Sequence, residues 1–237
     1  MIKQMVTSAM IAGFAVGLLV ALLQWCFVEK NILLAEDYES GAKVHFQGVT
    51  APADAVAAPA GHDMAAISET VSSLVMRHGL TVLFAAVIYV GYALVLVAGY
   101  ALAGQYGIVI SVQTGLLWGL AAFAAFQMAP AMGLEPELPG TMAAALDARQ
   151  WWWITTAVLT AGGLALLAYG HGVLPRVAAV VLLAAPHIIG APELDHFSGV
   201  TPPELASAFA AHSLGVGLIA WVVLGGLLAY LWGRDAV

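Results

Sequence analysis

"IVISVQTGLLWGLAAFAAFQMAP", Ile108 to Pro130, contains no Asp, Glu, Lys or Arg. Wound as an α-helix, a run of this length covers about 35 Å, enough to cross the roughly 30 Å hydrocarbon core of a bilayer. Unpaired backbone groups are costly in hydrocarbon, so only helices and closed barrels span it. A barrel strand shows about ten residues of alternating apolar and polar character. This run is continuous, so it predicts a helix.

The rest of the chain repeats the pattern. It is 62% hydrophobic and only 9% charged, against about 25% charged in an ordinary soluble domain. Apolar blocks of similar length lie at about 6–28, 80–103, 108–130, 151–170, 173–190 and 209–232. The expected fold is all-α: a polytopic integral membrane helix bundle of about six transmembrane helices, forming a single domain over 1–237. Residues 29–79 make a partly irregular outer loop within it. Five spans is the alternative, because only "HGV" separates the marginal blocks 151–170 and 173–190. The first block is longer than the apolar region of a typical signal peptide, and bulky Trp25 precedes Cys26. An uncleaved span is therefore expected. A single cysteine excludes a disulfide framework or a Cys-based cluster within one chain. With a net charge of -7 and no basic cluster, nucleic acid is not an expected partner; the lipid bilayer is.

Basic residues near span ends orient a membrane protein, and on that count the two faces here are almost even. With both termini cytoplasmic, Lys3, Arg176 and Arg234 face inward and Lys30, Lys43, Arg77 and Arg149 face outward. All acids but Asp235 then lie outside. Spans one, three and five each exit into an acidic segment: "EKNILLAEDYE", "GLEPELPG" and "GAPELDH". His45, His62, His78, His187, His196 and His212 lie in or near the same outer loops, and His171 does not. Such a mouth attracts cations.

Two of these exits echo one another. "APAMGLEPEL", Ala129–Leu138, and "APHIIGAPEL", Ala185–Leu194, share an Ala-Pro, a Gly and a Pro-Glu-Leu. Each first proline should bend or end its helix. Pro130 and Pro186 are therefore expected to mark matching helix ends near the outer face. Such broken ends can aim carbonyls at an ion, or can simply turn the chain.

His187 follows Pro186 while still inside an apolar block, where an ionisable group usually faces a cavity or the protein interior. Glu193, Asp195 and His196 lie just beyond it, and Glu135 and Glu137 occupy the paired exit. Imidazole with carboxylate suits borderline divalent ions such as Co2+, Ni2+ or Zn2+. A loose set of this kind suits transient rather than tight binding, with neutral imidazole as the ligand. The alternative role for His187 is a hydrogen bond to a carbonyl released by Pro186. Gln24, Gln113 and Gln127 are polar residues within spans, and with span three helical Gln113 and Gln127 share a face. They either line a pathway or join helices. Gly13-x-x-x-Gly17 has the spacing of close helix crossings, and Trp151 to Trp153 fit an interfacial belt. His62 and Asp63, in the Ala- and Pro-rich part of the first outer loop, are either a weak capture point or linker. No nucleotide-binding loop, HExxH or Ser-His-Asp order stands out, so no enzyme is expected.

Four stretches carry a family resemblance: "GLLWGLAAFAAFQMAPAMGLEPELPG" (115–140), "ARQWWWITT" (148–156), "APHIIGAPE" (185–193) and "VTPPELASAFAAHSL" (200–214). Together they resemble the CbtA family of bacterial cobalt-transporter subunits. The resemblance implies a multi-pass inner-membrane subunit of a cobalt uptake system. It also implies five spans and a small single-span partner, CbtB, with a histidine-rich end. Its motifs put Gln127, Pro130, Glu135 and Glu137 in one block, and Pro186, His187, Pro192 and Glu193 in another. The cobalt ion would be transported cargo, with no tightly bound cofactor. A non-transporting scaffold for a metal-binding partner, linked to cobalamin synthesis, is the alternative function.

Overall fold

A computed structural model describes residues 2–45, 64–195 and 199–234. The described residues form six helices: α1 (Ile2–Glu39), α2 (Met64–Gln105), α3 (Val112–Ala131), α4 (Leu146–Tyr169), α5 (Val173–Ile189) and α6 (Pro203–Arg234). The expected helix 108–130 is α3. It starts where the Ser111 hydroxyl accepts the Thr114 N–H at 3.2 Å, satisfying one of the orphan donors of a first turn. Asp147 and Glu204 sit in the first turns of α4 and α6, where a carboxylate complements the helix dipole. Gly172 and Gly190 bracket α5 at φ values of 93° and 88°, a region L-residues with side chains rarely enter.

Five helices are long and apolar enough to cross a membrane, and α5, with 17 residues, is shorter. It rises only about 25 Å, yet it still runs the length of the bundle. Near one end of the α3–α4–α5 group, the Trp118 indole donates to the Tyr169 hydroxyl at 3.0 Å. At the other end the Trp152 indole donates to the Pro186 carbonyl at 3.3 Å. The chain thus passes along the bundle six times, the fifth pass being the short α5.

Register follows from a few contacts. In the antiparallel α1–α2 pair, Gly13 and Gly17 sit on the backbone of Val90 and Ala86. In the α3–α6 pair, Gly115 and Gly119 sit against Gly225 and Trp221, and the Tyr100 hydroxyl donates to the Gly225 carbonyl at 2.9 Å. The small-residue spacing at Gly13 and Gly17 is therefore a crossing. The equivalent spacing at Gly115 and Gly119 had no distinguishing signal in the sequence.

Side chains on α1 show the surroundings. Ala9, Ala12, Val16 and Val20 are buried, while Ile11, Phe14, Leu18 and Leu22 are exposed. Small residues inside and large apolar ones outside are what lipid selects, because helices in hydrocarbon associate by close packing and not by hiding greasy surface. Of the expected outer loop 29–79, residues 29–39 extend α1 and 64–79 belong to α2. His62 and Asp63 lie outside the described residues.

The ends of α1, α3 and α5 gather on one side of the bundle. Glu36 of α1 meets Arg77 of α2, Gly133 beyond α3 meets Ala191 beyond α5, and Gly140 approaches Glu39. The start of α1 and the end of α6 lie at the opposite side. Reporter fusions after Lys43 and at the C-terminus should accordingly report opposite faces of the membrane. The same face for both would contradict the six-pass path.

Candidate functional site

The two proline exits are built alike. Near its end α3 passes through one π-helical turn, Ala124–Met128, followed by Ala129–Ala131. Pro130 has no N–H, and its ring would clash with the carbonyl four residues back. A widened turn just ahead of it is one way a helix accommodates such a break. Past Pro130 the chain folds back, its carbonyl accepting the Leu134 N–H at 2.8 Å. In α5, Pro186 lies in the last turn and its carbonyl accepts the Gly190 N–H at 3.0 Å. The helices end at Ala131 and Ile189, within a turn of their prolines. Both prolines are fully buried. The expectation of matching ends is met.

The exits also touch. Trp152 of α4 places its ring against Gly133, and Ala191 approaches the same glycine. Because Trp152 also bonds the Pro186 carbonyl, one buried indole joins both exits. The following loops are pinned together: Thr141 and Gly199 form an isolated antiparallel bridge, the Thr201 hydroxyl donates to the Pro139 carbonyl at 2.9 Å, and Leu138 is buried between them and the core. Of the three tryptophans read as an interfacial belt, Trp151 is exposed and fits that role, whereas Trp152 is a buried wedge.

His187 is half-buried at this junction, its ring edge-on to Trp152 with centroids 6.2 Å apart. Glu193, Asp195 and Glu135 are exposed on the same end of the bundle. Glu137 is bound to Arg149 at 2.7 Å, so its charge is already compensated. His196 lies outside the described residues. Among the described residues no three His, Cys, Asp or Glu side chains stand close enough together to hold a metal ion. The exits form an open acidic rim with one half-buried imidazole.

His78 and His212 of this end have partners. His78 lies 3.5 Å from Glu29 and against the Trp25 ring. Nδ1 of His212 lies 3.0 Å from Nδ2 of the buried Asn31. Arg77 grips Glu36 with both terminal nitrogens, at 2.6 and 3.1 Å. These pairings cross forty or more residues of sequence, and only the signs of the charges hinted at them. The shared face expected for Gln113 and Gln127 is not kept. Gln113 is exposed, whereas Gln127 sits in the π-turn with its Oε1 buried against Gly217. A turn closed i→i+5 shifts the phase of the helical wheel.

Six helices with lipid-facing large side chains, and an acidic end built from broken helices, define a polytopic membrane protein. The chain belongs to the CbtA family: the family model described as "Probable cobalt transporter subunit (CbtA)" matches residues 2–233. No curated protein and no solved structure matches it. It is a multi-pass protein of the bacterial inner membrane and a subunit for cobalt or divalent-metal transport, not an enzyme.

Proposed function

We propose that the acidic end faces outward, with both termini cytoplasmic, and that cobalt is first collected there. His187 is the nitrogen ligand, with Glu193 and Asp195 beside it in sequence and Glu135 on the adjoining exit. His196 adds a second imidazole, and Glu137 contributes only if Arg149 releases it. A small single-span subunit of the CbtB kind supplies the ion to this rim. The observation that supports the reading is the Trp152 wedge, which ties the exit carrying His187 to the exit carrying Glu135. It brings an imidazole and carboxylates from segments 56 residues apart onto one structure. A loose oxygen and nitrogen set binds a borderline divalent ion weakly enough to let it go.

The test is His187→Ala. Losing a principal ligand should lower cobalt accumulation at limiting cobalt by roughly tenfold or more, the scale on which metal sites respond to the loss of a supporting group. The amount of folded protein in the membrane should stay near that of the parent, because His187 is half-buried and not part of the core. Uptake equal to the parent would make His187 a structural residue at a helix end.

A further inference from the structure

A second polar assembly lies deeper in the bundle. Among the described residues there are two π-turns, Gln24–Val28 in α1 and Ala124–Met128 in α3. Each contains a glutamine, Gln24 and Gln127, and both glutamines line one cavity of about 550 Å³. π-turns interrupt regular helices and recur at functional sites. Two on different helices, each giving an amide to the same space, is a stronger observation than either alone.

The cavity follows α2 from Arg77 to Tyr92, about 22 Å of helix. Its mouth is Arg77, neutralised by Glu36, and a neighbouring cavity that shares Gln24, Arg77 and Thr81 brings in Glu29 and His78. The mouth therefore lies on the acidic side of the bundle. Towards its floor the lining offers Gln127, Tyr89 and Tyr92. Below Tyr92 the route is closed by aromatic rings. Tyr92 packs on Trp221 with centroids 4.6 Å apart, and Phe126 stacks on Trp221 at 5.5 Å and 9°.

Two polar atoms beside or beneath this floor have no partner among the described residues. Gln127 Oε1 and the indole nitrogen of Trp221 are buried and make no hydrogen bond, and Trp221 is fully buried. Buried polar groups are nearly always paired with protein or water, so each exception calls for a partner. Gly217 leaves the room that the Gln127 amide occupies. The polar groups offered in the cavity beyond its Arg77 mouth are amides and hydroxyls. Neutral oxygens can exchange with the water around a hydrated divalent cation, and with no carboxylate or imidazole among them they do not trap it.

We propose that this cavity is the water-filled entrance of the cation path through the membrane, that the Gln127 amide sets its deepest polar lining, and that the Tyr92–Phe126–Trp221 stack is the gate beneath it. The inference rests on the transport reading above and extends it from the outer rim to the interior.

Two readouts test it, using the full chain with its single-span partner in membranes. The first does not depend on cobalt. In a Cys26→Ser background, which removes the chain's one cysteine, single cysteines at Gln24 and Thr81 should react from the outside with a membrane-impermeant thiol reagent. A cysteine at Val87, exposed on α2 but outside the cavity lining, should not, because thiols in lipid stay protonated and unreactive. Protection of Gln24→Cys and Thr81→Cys as complete as that of Val87→Cys would make the space a lipid-filled groove and overturn the inference. The second readout is cobalt uptake. Gln127→Leu should lower it about tenfold, the scale of a lost supporting group at a metal site. Gly217→Ala, whose methyl displaces the Gln127 amide, should lower it in the same direction with unchanged protein level. Parent-like uptake by both variants overturns the role of Gln127 while leaving the transport reading intact. Absence of uptake by the parent itself overturns the transport reading, and the cation path with it, whatever the labelling shows.

Discussion

Gly119→Leu is expected to remove most of the folded protein from the membrane. A side chain at this position meets the carbonyl of Trp221 and the backbone of Val222, and Gly225 approaches from the same side of α6. None of these can rotate away as a side-chain tip could. In hydrocarbon, α3 and α6 are held by close packing and not by expulsion of water, so separating them loses the interaction itself. Overpacking of this kind costs about 3 kcal/mol, roughly a hundredfold in the folding equilibrium. It would also pull Trp221 off Phe126 and Tyr92. Gly91→Leu is the matched control, since Gly91 faces open space on α2. The level of detergent-extractable, monodisperse protein and its thermal midpoint should fall sharply for Gly119→Leu and hold for Gly91→Leu. Equal behaviour of the two variants would contradict the α3–α6 crossing.

The sequence shows where helices must be far more clearly than how they fit. An uncharged run such as Ile108–Pro130 has one stable solution in a bilayer, and it is helical from Val112 to Ala131, just past its proline. The exits were legible for a related reason: proline acts on its own helix, so its consequence is local. Charged residues were a poorer guide to helix ends. "EKNILLAEDYE" reads as loop after an apolar span, yet it continues α1 to Glu39, because water-exposed helix tolerates charge. The pairings that build the sites are not local. Gly115 and Gly119 have the same spacing as Gly13 and Gly17, and which glycines face a partner backbone depends on the partner. Gln127 was visible as a polar residue in a span, but its π-turn, its contact with Gly217 and its cavity arise only once α1, α2, α3 and α6 are together. Trp152 sits between two tryptophans of identical type, and packing alone separates the wedge from the belt.

The most direct measurement of the central claim is cobalt accumulation in sealed vesicles. They would contain the purified chain alone, the chain with a CbtB-like single-span subunit, that subunit alone, or neither. A transport subunit gives cobalt inside the vesicles in the combined sample, well above the vesicles lacking this chain, and His187→Ala lowers that signal at limiting cobalt. Accumulation no greater than in empty vesicles, with cobalt bound only to the small subunit on the outside, would contradict transport and leave the chain as a scaffold for its partner.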